Sequence, residues 1–216
     1  MRQSIFLVIL LVQGCSLSTP QNEWQYKSAR AFSSFSQNYL SDNGSLAQND
    51  LSRAIKSAKQ SADLTQLAKI YLGECALHIA TGIDDDCKHY ANMENLLENK
   101  TLSSYYHLLR KNLQNEEINF LPSSYQKFAV ALSEKDFVRA NKEVLSIKKI
   151  SSSFVCASLI KEELTDKTRE NIIQKASFSG YKKVVLFWLR EVKKVSTNRD
   201  EIKRINQKIV ILQSKD

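Results

Sequence analysis

Cys75, His78, Cys87 and His89 are side chains that ligate metals or exchange electrons, and they lie within fifteen positions of one another. A structural zinc site needs four deprotonated ligands in tetrahedral array, and its usual spacings pair CxxC with a second CxxC or with a spaced His pair. CxxH followed by CxH matches neither pattern, so a solvated His78 beside a core Cys75 is the simpler reading and no metal is expected. The other use of the two sulfurs is a bridge. Cys75 lies about two helical turns before Gly82, roughly 10 Å back along a helix axis. Extended chain from Gly82 to Cys87 reaches up to about 16 Å. A Cys75–Cys87 disulfide is therefore within reach and would add roughly 3 kcal/mol. Three buried thiols, or a bridge from either residue to Cys156, stay open beside it. Asp84-Asp85-Asp86 lacks the alternating ligands, Gly and terminal Glu of a calcium loop, and reads as a wet turn. No GxSxG, HExxH, CxxCH or Gly-rich phosphate loop occurs, so no catalytic residue and no cofactor is assigned. Glu74, Glu116-Glu117 and Glu162-Glu163 read as solvated helix faces. Any of them could act as a glycosidase acid only if a second carboxylate faced it.

The fourth cysteine stands in a different context. The chain opens MRQSIFLVILLVQGCSLSTP, with Arg2 followed by an unbroken apolar run from Ile5 to Val12. Eight helical residues span roughly 12 Å, too short for a bilayer but the right size for a signal-peptide core. Val12-Gln13-Gly14-Cys15 resembles the lipobox of bacterial lipoproteins, with Val and Gln where Leu and a smaller residue are commoner. The resemblance implies cleavage before Cys15 and diacylglycerol on its thiol. It also implies a membrane-anchored protein of the cell envelope facing the periplasm. By the same resemblance, Ser16 in second place favours the outer membrane. Two or three acyl chains hold a protein stably where one does not. Residues 1–14 are thus expected to be a signal peptide, 15–22 a lipidated tether, and 23–216 one domain.

What positions these residues is a succession of helices. Only 5 Gly and 2 Pro punctuate 216 residues, too few for the turns of a sandwich, barrel or doubly wound sheet. Apolar residues recur at three and four from Trp24 through Phe35 to Tyr39, and a second stripe runs Leu51, Ala54, Ile55 and Ala58. Ser45 and Gln48 are spaced as a capping box for that second helix. The phase slips near Ser61 to Asp63, where Asp63 suits the cap of a third helix ending at Gly82. Further stripes fall at Tyr90–Leu97, Leu102–Leu113, Tyr125–Leu132, Phe137–Ile147 and Val155–Ile160. Ser151 to Ser153 is expected to precede the last of these helices. Ile172 to Ala176 leads to Gly180, Tyr181 to Val195 surrounds Trp188, and Asn198 with Glu201 caps a narrow seam of Ile202, Ile205, Ile209 and Leu212. The expectation is an all-α fold of about ten helices in stacked antiparallel hairpins, as an α/α array or an irregular bundle. Asp50-Leu51-Ser52-Arg53-Ala54-Ile55-Lys56 resembles Asp136-Phe137-Val138-Arg139-Ala140-Asn141-Lys142, as in tetratricopeptide-type hairpins, although no period of roughly 34 residues recurs. Ala176 to Leu189 similarly resembles the helix-turn-helix of an ankyrin unit.

The formal charge of +8 is unevenly placed. Cys15 to Phe120 holds 10 basic and 12 acidic residues, a net of −2, whereas Leu121 to Asp216 holds 20 and 11, a net of +9. A basic face suits nucleic acid, but an exported protein does not meet it, so none is expected. Anionic head groups, cell-wall carboxylates or an acidic protein fit the compartment implied by Cys15. The reading is of a lipid-anchored envelope protein binding another protein without catalysis. A cell-wall glycan hydrolase working through helix carboxylates is the alternative.

Overall fold

The computed structural model describes residues 23–214, and Cys15 with the rest of the lipobox lies outside them. The described chain is all-α. Eleven α-helices follow one another: α1 (Glu23–Leu40), α2 (Gly44–Gln60), α3 (Leu64–Ala80), α4 (Lys88–Ala91), α5 (Lys100–Leu109), α6 (Ser123–Ser133), α7 (Phe137–Ser146), α8 (Ile150–Leu159), α9 (Asp166–Phe178), α10 (Lys182–Val195) and α11 (Arg199–Gln213). Short 3₁₀ turns at 94–96, 115–120 and 161–163 link some of them.

Local chemistry explains most of the boundaries. Asp63, Asn99, Asp136 and Thr165 each accept a backbone N–H from the residue three places on, and Asn198 accepts two. These bonds satisfy donors that a helix start otherwise leaves unpaired. Five helix ends share one recipe. The residue past the cap turns left-handed at Asp42, Gly82, Lys111, Lys135 and Gly180. At each of these ends the next N–H bonds back to a carbonyl five residues earlier, as Asn43 does to Asn38 and Ile83 to His78. Only two of those five positions hold Gly, which is how so few glycines end so many helices.

Two sequence expectations fail here. Helix α2 already begins at Gly44, so Ser45 sits inside its first turn and the Ser45–Gln48 box does not form. Helix α8 begins at Ile150 and takes in Ser151–Ser153, which do not precede it. The stripe at Tyr90–Leu97 is a single α-turn followed by a 3₁₀ turn, and α5 stops at Leu109, short of Leu113.

Packing centres on α3 and α8. From Ser152 to Leu159 every residue of α8 is buried, as expected of a helix surrounded by neighbours. Helix α8 lies against α3, α6, α7 and α9, and α3 against α1, α2, α5 and α8. Helices α1–α2, α6–α7 and α9–α10 are sequential pairs around this centre. Helix α10 also touches α1, so the pairs close around the core as an irregular bundle. The hinge of that closure is ionic: Lys182 and Lys183 lie 3.5 and 3.8 Å from the Asp42 carboxylate, and Lys183 Nζ sits 4.0 Å above the Tyr39 ring. Buried polar groups tie elements together. The Asn141 amide donates to the Phe137 and Glu163 carbonyls and accepts from Thr165 N–H, fixing α7 to the turn before α9. Tyr125 donates to Ser152 Oγ at 2.9 Å, and burial pushes its hydroxyl up to about 12. One continuous apolar cluster runs from Ala31 to Trp188.

The two look-alike heptapeptides occupy different places. Asp136 caps α7, whereas Asp50 lies inside α2, buried, where it accepts from Asn38 and pairs with Arg53. Of the α11 seam only Ile205 is buried; Ile202, Ile209 and Leu212 remain half-exposed.

Candidate functional site

The turn after α3 is the most heavily constrained segment on the surface. Cys75 and Cys87 are joined by a disulfide, with Cα atoms 5.3 Å apart, which folds residues 81–87 back over the end of α3. Gly82 is required at the turn. Its φ is +79°, and a Cβ there would come within 2.1 Å of the Phe187 ring of α10. Asp85 holds the loop by three contacts. One carboxylate oxygen accepts Cys87 N–H at 2.7 Å and the other pairs with His78 Nδ1, while its carbonyl accepts Arg110 Nη1 at 3.1 Å. Asp86 accepts Lys88 N–H at the start of α4. Of the aspartate run, then, Asp85 and Asp86 are spent on the loop itself.

The structure brings three of the four singled-out Cys and His residues together and sets the fourth aside. His78 lies between Asp85 and the Tyr39 ring, 5.4 Å away, and Tyr39 in turn bonds Thr81. His89 is exposed and stacks on Tyr71 at 4.9 Å. Cys75, Asp85 and Cys87 present ligand-type atoms within 4.8 Å of one another, but the two sulfurs share a bond and offer no thiolate. Glu74, one position before Cys75, has its carboxyl pushed above the usual range by burial, with His78 and His89 opposing. Cys156 is buried at the centre of α8, and burial drives its thiol well above the ordinary value, which makes it inert.

Beside the bridged turn lies a cleft of about 430 Å³. Ile79, Leu109, Leu159 and Phe187 supply apolar lining, and Asp84, Arg110, Lys111, Lys161 and Glu162 carry charge of both signs. Ser158 also lines it. Ser158 is 7% exposed, and its Oγ is buried with no hydrogen-bond partner. A buried hydroxyl left unpaired costs about 1–3 kcal/mol. Arg110, Lys111 and Phe187 could not be anticipated as neighbours of the disulfide, because they arrive from α5 and α10. Ser158 carried no mark of function in a run of small residues. Glu162 lines the cleft and Glu163 helps hold α7 through its carbonyl. Glu117 completes a capping box with Gln114 and pairs with His107 at 2.6 Å.

No protein-family model, no curated protein and no solved structure matches this chain.

Proposed function

We propose that the protein is a lipid-anchored component of the cell envelope whose helical bundle holds a segment of another protein in the cleft beside the Cys75–Cys87 bridge, without catalysis. The observation that carries the binding half is the cleft itself, with apolar walls from Ile79, Leu109, Leu159 and Phe187 and a rim of mixed charge beside the bridged turn. Such a combination suits a polypeptide, whose backbone supplies donors and acceptors and whose side chains supply both apolar and charged contacts. The disulfide and the Asp85 contacts keep the turn rigid, which lowers the entropic cost of binding. The anchoring half rests on the lipobox-like Val12-Gln13-Gly14-Cys15.

Chemical crosslinking in living cells followed by co-purification tests the binding half. A discrete partner is expected with the wild type and is expected to disappear when Lys111→Glu and Lys161→Glu reverse two rim charges. The absence of any partner, or a partner unaffected by the reversal, contradicts the proposal.

A further inference from the structure

A different part of the surface is built for a different contact. Phe178, the last residue of α9, is 94% exposed, and Val210 and Ile211 near the end of α11 are 68% and 71% exposed. The close of α9, the start of α10 and the close of α11 meet around an apolar groove lined by Ser177 and Ile211, next in the chain to Phe178 and Val210. Ile173, Val185, Leu189 and Leu212 line that groove, and Lys182 and Lys208 line it with them. Large apolar side chains left in water at one place mark an interaction surface.

Charge separates this end from the opposite one. The carboxylates of α9 and α11 are gathered at their starts, Asp166 and Glu170 on the one and Asp200 and Glu201 on the other. Glu191 lies in the later half of α10. Among the described residues, the cations at the apolar end include Lys182, Lys183 and Lys208, whereas the Lys175 ammonium donates to the Leu145 carbonyl of α7. Among the described residues, Asp42, from the turn between α1 and α2, is shared by Lys182 and Lys183. A projecting phenylalanine at a turn, flanked by aliphatic residues and lysines, matches a fluid anionic surface. The rings and methyls enter the head-group boundary, while lysine stems lie along it and their ammonium groups meet phosphate. A protein partner would instead need a preformed pocket for Phe178 and carboxylates placed to meet each lysine.

We infer that this end of the bundle, formed by Phe178, Val210, Ile211 and the lysines around them, docks on an anionic lipid leaflet. It stands independently of lipidation at Cys15 and of the cleft at Ser158. The test uses a chain starting at Glu23, which keeps the whole core described above and lacks the lipobox. Flotation is measured with vesicles of phosphatidylcholine mixed with phosphatidylglycerol, and with phosphatidylcholine alone. The chain is expected to float with the mixed vesicles and to sink with the neutral ones. Phe178→Ser combined with Ile211→Ser is expected to lower the bound fraction about tenfold, with Lys208→Glu acting in the same direction. All three positions are exposed, and unchanged circular dichroism verifies that each variant folds. Absent flotation, equal flotation on both vesicle types, or flotation unchanged in the double variant overturns the inference. So does a protein partner lost in the double variant when no vesicle binding is seen.

Discussion

Individual residues around the bridged turn make the most direct claims. The disulfide closes a loop between positions 12 apart in sequence, and a cross-link of that span stabilises by about 3 kcal/mol. Cys75→Ser with Cys87→Ser is expected to lower urea-unfolding stability by that order; an unchanged midpoint would show the bridge to be irrelevant to the fold. Thiol titration adds a count. A chain starting at Glu23 is expected to present no reactive thiol when native, one after denaturation from Cys156, and three after reduction. Glu74 makes a pH-dependent claim. Burial raises its carboxyl above the ordinary 4.5, so the folded state holds that proton more tightly than the unfolded chain. Its contribution is therefore full below 4.5 and is lost as pH rises through the folded value. Glu74→Gln does not titrate, so its stability relative to wild type is expected to rise from pH 4.5 upward and then level off. Urea midpoints across that window measure the difference, and a relative stability of Glu74→Gln that stays flat or falls with pH argues against burial as the cause.

At the scale of elements, helix ends carry the information. Left-handed Asp42, Ala62, Lys111 and Lys135 occupy places where Gly costs nothing sterically. Ala62→Gly at the end of α2 is expected to stabilise by about 0.5–1 kcal/mol, read as a higher denaturation midpoint, and a loss of stability would contradict the assigned conformation. This is also why some boundaries were legible in sequence and others were not. Asp63, Asp136, Asn198, Gly82 and Gly180 advertise caps by residue type, and the ends they mark are where periodicity alone put them. Lys111 and Lys135 advertise nothing, because their conformation is imposed by the backbone bonds that close the preceding helix. Ser151–Ser153 misled for a complementary reason. Serines next to Lys148 and Lys149 resemble a loop, yet tertiary burial overrides that preference: Ser152 accepts from Tyr125, and Ser153 bonds the Ile150 carbonyl within the helix. The reach from Cys75 to Cys87 is a local quantity and could be reckoned from helix rise and chain length. The cleft could not, since Ser158, Phe187 and Arg110 meet only after α8, α10 and α5 have packed.

Over the whole molecule, two of the proposals concern the membrane. Helix α1 is 18 residues long, about 27 Å from end to end. The chain from Cys15 enters at its start. Asp42, just beyond its end, grips Lys182 and Lys183 beside the apolar end of the bundle. Anchorage through Cys15 and docking through the Phe178 face, both proposed above, would be two contacts with one membrane. Each contact would raise the effective concentration of the other. Anchorage through Cys15 is the claim on which this arrangement turns, and fractionation of cells expressing the full chain tests it most directly. Membranes are washed at high ionic strength, which strips contacts made by lysines to lipid phosphate but leaves acyl chains in place. Wild-type protein is expected to stay with the washed membranes and Cys15→Ala to be released. Cys15→Ala retained as fully as wild type would contradict it.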